Sequence, residues 1–117
     1  MIEMQKWQEI AKANIHNRPA TTGRLAGKIA IVTGSAQGFG KGIAEEMYKE
    51  GASIVIADLN EELAASVAAE MGERAVCVKV NVSDEESVAA LLQKTVEHFG
   101  GLDIFVSNAG VVRSGAL

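Results

Sequence analysis

The stretch Thr33-Gly34-Ser35-Ala36-Gln37-Gly38-Phe39-Gly40 follows the apolar run Ile29-Ala30-Ile31-Val32 directly and leads into residues with helical spacing. A short β-branched run that ends on glycines and turns at once into a helix marks a strand, loop and helix unit. The helix N-terminus presents unpaired backbone N–H groups, and the helix dipole makes that end attractive to an anion. Side chains would keep a phosphate away from those amides, so each glycine has its own task. Gly34 supplies the tight exit from the strand, Gly38 the close approach of backbone to a pyrophosphate, and Gly40 the close packing of helix on sheet. Ser35, Gln37 and Phe39 lie between them and join them as candidate cofactor contacts. A Gly-rich loop standing alone could be a flexible turn, but its place between an apolar strand and an amphipathic helix argues for phosphate binding.

Outward from this loop the pattern repeats. Ser53-Ile54-Val55-Ile56-Ala57, Ala75-Val76-Cys77-Val78-Lys79-Val80 and Leu102-Asp103-Ile104-Phe105-Val106 are further short apolar runs, the kind that suits strands covered on both faces. Three helical patterns separate them. Phe39, Ile43, Ala44 and Met47 share one face; Leu63, Val67 and Met71 another; Val88, Leu91, Leu92, Thr95, Val96 and Phe99 a wider stripe. Ser83 and Glu86 have capping-box spacing ahead of the third helix, and Gly51, Gly72 and Gly100-Gly101 stand where helices should stop. Helical crossovers between strands imply a parallel sheet with right-handed connections. The predicted class is therefore α/β, a Rossmann-like parallel sheet of about four strands with crossover helices. Ahead of it, Ile2, Trp7, Ile10 and Ala11 are spaced for one helical face, and Asn14 to Arg24 reads as a linker with the only proline, Pro19. This leading segment is expected to be an adherent or frayed arm, with an oligomer contact or the remnant of a join to another module as the alternatives.

A second requirement of dinucleotide binding is met at the end of the second run, where Asp58 stands with Leu59 beside it. A carboxylate there can accept hydrogen bonds from both ribose hydroxyls and repels a 2′-phosphate. It lies near the roughly 20-residue separation expected of such an acid. The alternative is that Asp58 caps the helix starting near Asn60-Glu61-Glu62, and both roles could coexist. Gln37 is neutral where a base would help hold an extra phosphate, so loop and acid agree on NAD over NADP.

Composition excludes other classes. The 117 residues carry 11 Lys plus Arg against 15 Asp plus Glu, for a formal charge of −4, and aromatic content is 4%. This mild acidity, with no basic block, argues against nucleic acid as a partner. No run approaches the roughly 18 apolar residues of a membrane span, and the single cysteine gives no internal disulfide, so a cytoplasmic protein is expected. Cys77 reads as a small buried hydrophobe, His16 and His98 as structural or solvated, and no His, Cys and acidic cluster has metal-ligand spacing.

These residues together resemble the short-chain dehydrogenase/reductase family. The resemblance is carried by Gly34-x-x-x-Gly38-x-Gly40 preceded by Leu25 to Thr33, then Asp58, Asn81-Val82 and Ser107-Asn108-Ala109-Gly110, in order, from Leu25 to the end. It implies that residues 25–117 are the NAD-binding Rossmann half-domain, a truncated doubly wound fold, with residues 1–24 as arm and linker. It implies further that Asn81, where the family more often has Asp, accepts from the adenine amino group through its amide oxygen. Val82 would line the adenine pocket, and Asn108 would tie the central strands, with Ser107 in place of the commonest Asn. Ala109 and Gly110 would leave room for the ribose and nicotinamide side of the cofactor.

The family's catalytic Tyr, the Lys four residues after it and the substrate-orienting Ser have no match here. The only tyrosine, Tyr48, lies in the first helix with Ala52 four residues on. The expectation is the NAD-binding portion of an oxidoreductase that interconverts an alcohol, with sugars and polyols among the candidates, and a carbonyl, the catalytic half being absent from this chain. The alternative is a non-catalytic nucleotide-binding or partner-binding fragment. The run Leu102 to Val106, lacking a neighbour, would form an apolar sheet edge and drive self-association.

Overall fold

The computed structural model describes residues 9, 10, 12, 13 and 18–108. Within them the chain runs β1 (Ile29–Thr33), α1 (Gly38–Lys49), β2 (Ser53–Asp58), α2 (Glu61–Met71), β3 (Ala75–Lys79), α3 (Glu85–Phe99) and β4 (Ile104–Val106). The strands form one four-stranded sheet in the order β3-β2-β1-β4, and every pairing is parallel. The expected α/β parallel sheet with crossover helices is therefore what forms. β1 pairs Ile29 with Ser53 on one side and Ala30 with Ile104 on the other, so the chain reverses its direction of travel across the sheet between β3 and β4.

Continuous apolar runs in β1 and β2 follow from burial on both faces. Ala30, Val32, Ile54 and Ile56 pack with Ala44, Ala64, Val67 and Ala68 on the side of α1 and α2. Ile29, Ile31, Val55 and Ala57 pack with Leu91 and Phe99 of α3 on the other. Each fully buried Ile or Val contributes roughly 1.5–3 kcal/mol relative to exposure. Alanines and Gly40 bring α1 and α2 close to the sheet; the larger Ile43, Met47, Leu63 and Met71 lie at the margins of that core.

Several local expectations are revised. Phe39 does not share the buried face of α1 and is 79% exposed, because Gly40 and Ala44 are the residues turned inward. The cap of α3 is Asp84, one residue after Ser83, with its carboxylate accepting from Glu86 N at 3.0 Å. Asn81 Oδ1 takes the Ser83 N–H at 3.0 Å and leaves Ser83 in the turn outside the helix. β4 begins at Ile104, not Leu102, since the Asp103 carboxylate receives Ile29 N at 2.8 Å and closes the sheet end there.

The segment from Arg18 to Gly27 adheres to the sheet. Arg18 Nη1 donates to Gly27 O at 2.9 Å and to Asp103 Oδ2 at 2.7 Å. Thr21 Oγ1 donates to Gly51 O at 2.5 Å and accepts from Gly27 N at 2.8 Å, while Leu25 N donates to Glu50 O at 2.7 Å. Farther upstream Glu9, Ile10, Lys12 and Ala13 are helical; Ile2, Trp7 and Ala11 of the expected helical face lie outside the described residues.

Candidate functional site

Parallel strands bring their carboxyl ends to one edge of the sheet. Consequently the loop after β1, Asp58 and Leu59 after β2, Asn81 and Val82 after β3, and Ser107 and Asn108 after β4 all gather there. The crevice between β1 and β4, where the chain order switches, is where open α/β sheets bind ligands.

The glycine loop is shaped by interactions that leave its outer side bare. Gly34 N donates to Ala57 O at 2.7 Å, holding the start of the loop on β2. Ser35 is fully buried; its hydroxyl donates to Val32 O at 2.6 Å and accepts from Ala57 N at 3.2 Å. Its side chain thus locks the loop to the strands and does not reach the crevice. Gly38 has φ +64°, and a Cβ built on it meets nothing within 4 Å. Gly40 is the opposite case, since a Cβ there would run into the Gly34 carbonyl and Asn108 Nδ2. Only glycine lets α1 start this close to the loop.

The N-terminus of α1 differs from those of the other helices. Its N-cap, Gln37, makes no side-chain capping bond, and no acidic residue occupies the first turn. By contrast α2 has Asn60 accepting from Leu63 N with Glu61 and Glu62 following, and α3 has Asp84 with Glu85 and Glu86. Those acids and caps satisfy the free amides and the dipole internally. At α1 the same demand is left for an external anion, and the bare Gly38 makes room for one.

Asp58 is joined to this loop directly. Its Oδ2 accepts from Ala36 N at 3.0 Å and its Oδ1 from Asn60 N at 3.1 Å. The cap of α2 is Asn60 itself, so Asp58 is free of the capping role that was its alternative reading. Leu59 next to it is 62% exposed and Val82, across the β3 end, 40% exposed. Val80 N donates to Asp58 O at 3.0 Å, which keeps the Asn81-Val82 turn beside the acid.

Asn108 closes the other side. Its backbone N donates to Thr33 Oγ1 at 2.8 Å and its Nδ2 to Gly34 O at 3.4 Å, while Thr33 Oγ1 donates to Val106 O at 3.3 Å. Thr33 and Ala36 are the participants that the sequence reading passed over. A hydroxyl at the end of an otherwise apolar strand was the one available signal for Thr33. Ala109 and Gly110 lie outside the described residues. Among those described, no group of His, Cys and acidic side chains is placed to hold a metal. Tyr48 sits at the far end of α1, with the Arg74 guanidinium 3.9 Å above its ring, remote from the crevice.

An uncapped helix N-terminus behind a glycine loop, with a carboxylate bonded to that loop, at the switch point of a parallel sheet, defines a dinucleotide-binding α/β protein. The family model for short chain dehydrogenases matches residues 28–117, and the chain belongs to that family of oxidoreductases. It is 47% identical over 95 residues to a (+)-cis,cis-nepetalactol synthase of Nepeta racemosa, covering 80% of this chain and 35% of that protein. To a 3-oxoacyl-[acyl-carrier-protein] reductase of Haemophilus influenzae it is 40% identical over 93 residues, 80% of this chain and 38% of that one. Two solved structures show the same fold. The 3-ketoacyl-(acyl-carrier-protein) reductase of Brucella melitensis, complexed with NADH, superposes with a TM-score of 0.68 at 40% identity, over 69% of this chain and 33% of that one. A hydroxysteroid dehydrogenase of Escherichia coli gives 0.71 at 38% identity, over 74% and 38%. The chain thus spans about a third of the length of these relatives.

Proposed function

We propose that residues 25–117 are the NAD-binding half of a short-chain dehydrogenase, with residues 1–24 as a leading arm, and that these 117 residues bind the dinucleotide without turning over an alcohol. The observation that carries the reading is the 3.0 Å bond between Ala36 N and Asp58 Oδ2. It fixes a carboxylate beside the uncapped N-terminus of α1, an arrangement that suits a ligand presenting a phosphate to the amides and hydroxyls to the acid. A diphosphate esterified to ribose has both. Gly34, Gln37, Gly38, Phe39 and Gly40 would hold the pyrophosphate through backbone, Asp58 the ribose, and Leu59, Asn81 and Val82 the base. Asn108, Ala109 and Gly110 would border the nicotinamide side. The bound nicotinamide supplies hydride transfer; the residues of this chain bind and orient it.

The preference for NAD over NADP rests on charge. A 2′-phosphate would meet the Asp58 carboxylate, and Gln37 offers no compensating cation. Titration with NADH and NADPH tests this. The wild-type chain is expected to bind NADH about tenfold or more tightly than NADPH, and Asp58→Ala to weaken NADH while narrowing that gap. Equal binding of the two by the wild type would refute the preference.

Absence of turnover follows from the tyrosine count. The one tyrosine in the sequence is Tyr48, committed to Arg74 on the far side from the loop. Alcohol oxidation by the purified 117-residue chain would contradict this. Interconversion of an alcohol and a carbonyl is the activity proposed for the longer protein of which this is the cofactor-binding part. A cytoplasmic setting fits the single cysteine, and among the described residues no helix is long and apolar enough to cross a membrane.

A further inference from the structure

We propose that two copies of this chain join through β3, antiparallel across a two-fold axis at Cys77, so that their sheets become one. Among the described residues no strand lies beyond β3. Its bonds to β2 run through alternate residues, since Ile54 N donates to Arg74 O at 2.7 Å and Val80 N to Asp58 O at 3.0 Å. The parallel ladder thus uses Arg74, Val76, Val78 and Val80 and turns the backbone groups of Ala75, Cys77 and Lys79 outward. Ala75 N is taken by Gly72 O at 3.2 Å. The amides of Cys77 and Lys79 and the carbonyls of Ala75 and Cys77 remain as an open edge.

That set of groups is self-complementary. The strand runs from Ala75 to Lys79, so a two-fold axis that pairs all of it with a second copy passes through its centre, Cys77. In that register Cys77 N donates to Cys77 O of the second copy, Lys79 N donates to its Ala75 O, and both bonds are returned. On the α3 face Val76 of each copy comes opposite Val78 of the other, a β-branched cross-strand pair. The groove beside the edge, about 430 Å³, is lined by these valines, Cys77, Lys94, Glu97 and His98. Lys94 and Glu97 are exposed there, on either side of the level of Cys77. The same axis sets the two α3 helices antiparallel on one face of the joined sheet, with Lys94 of each toward Glu97 of the other. A strand from a different protein would have to supply both the valines and the opposite charges; a second copy carries them already.

Sedimentation equilibrium at micromolar concentration tests the pairing through its charges. Lys94→Glu and Glu97→Lys are each expected to raise the dissociation constant of the dimer about tenfold, because symmetry makes each substitution act twice. The double variant K94E/E97K is expected to return it to within about threefold of wild type. Cys77 gives a second reading on the unaltered chain, being its only cysteine. Across the axis the Cα atoms of a hydrogen-bonded pair lie about 5.5 Å apart, within the range a disulfide spans, so diamide is expected to convert the wild-type dimer to a covalent one. A monomeric wild type, a dimer whose thiols stay reduced under diamide, charge reversals without effect, or a double variant no better than the single ones would each overturn the pairing. Self-association unmoved by all three variants belongs to another surface, and β4 is then the edge responsible.

Discussion

Gly38 and Gly40 stand two residues apart and would fail for different reasons if given a side chain. Alanine at 38 has open space but a left-handed backbone, φ +64°, which costs roughly 1–2 kcal/mol. Its methyl group would also occupy the open side where the proposed phosphate would sit. Alanine at 40 would strike the Gly34 carbonyl and Asn108 Nδ2, and overpacking of this kind costs about 1–3 kcal/mol or more where backbone must move. Thermal melts and NADH titrations separate the two. Gly40→Ala is expected to show the larger fall in Tm. Gly38→Ala is expected to stay folded and lose NADH binding more than about tenfold, the effect of 1.4 kcal/mol; unchanged affinity in Gly38→Ala would argue against a phosphate at the loop. The packing role of Gly40 was legible from sequence because the glycine stands where the loop turns into the helix. That of Ser35 was not, because its burial against Val32 and Ala57 depends on β2 returning beside β1.

At the scale of elements, strands and helices were readable wherever apolar period and burial coincide, as in β1, β2 and the stripe of α3. The reading slipped where a small residue took the inward position. Gly40 and Ala44 face the sheet, so the large Phe39, Ile43 and Met47 border an open groove of about 580 Å³ along α1. It slipped again where a turn bond outside the helix displaced the cap from Ser83 to Asp84. The leading segment was the least legible part, since its partners lie far along the chain. Arg18 reaches Asp103, and Gly101 leaves the space its guanidinium fills. Both side chains of that pair are about 30% exposed. Arg18→Ala should therefore cost about 1.5 kcal/mol, the lower end for hydrogen bonds to charged groups, measured by denaturant unfolding; no change would mean that the segment merely lies against the sheet. The Arg24 and Glu50 pair, bonded at 3.0 and 3.1 Å, is more open to solvent. The hydrogen bond from Arg24 holds the Glu50 carboxyl below its usual range. Such a depressed acid stabilises the fold fully above the ordinary glutamate pKa and loses that contribution as pH falls through the lowered value. The small destabilisation from Arg24→Ala should accordingly vanish in acid; a deficit that grows as pH falls would contradict the pairing.

At the scale of the whole sheet, β3 and β4 are the outer strands among the described residues, and β4 carries Phe105, 42% exposed, on the face opposite Ile104 and Val106. An apolar edge of this kind favours pairing with another chain. Light scattering at micromolar concentration is expected to show self-association, and a clean monomer would count against it. The claim on which everything else depends is that a dinucleotide sits across the carboxyl ends of β1 and β2. Titration of the isotope-labelled chain with NADH, followed by backbone amide shifts, tests it residue by residue. Saturable changes are expected at Ala36 to Gly40, Asp58 and Leu59, and their loss in Gly38→Ala. Amide shifts absent from those positions at millimolar NADH, or confined to the opposite end of the sheet around Arg18, Glu50 and Asp103, would contradict it.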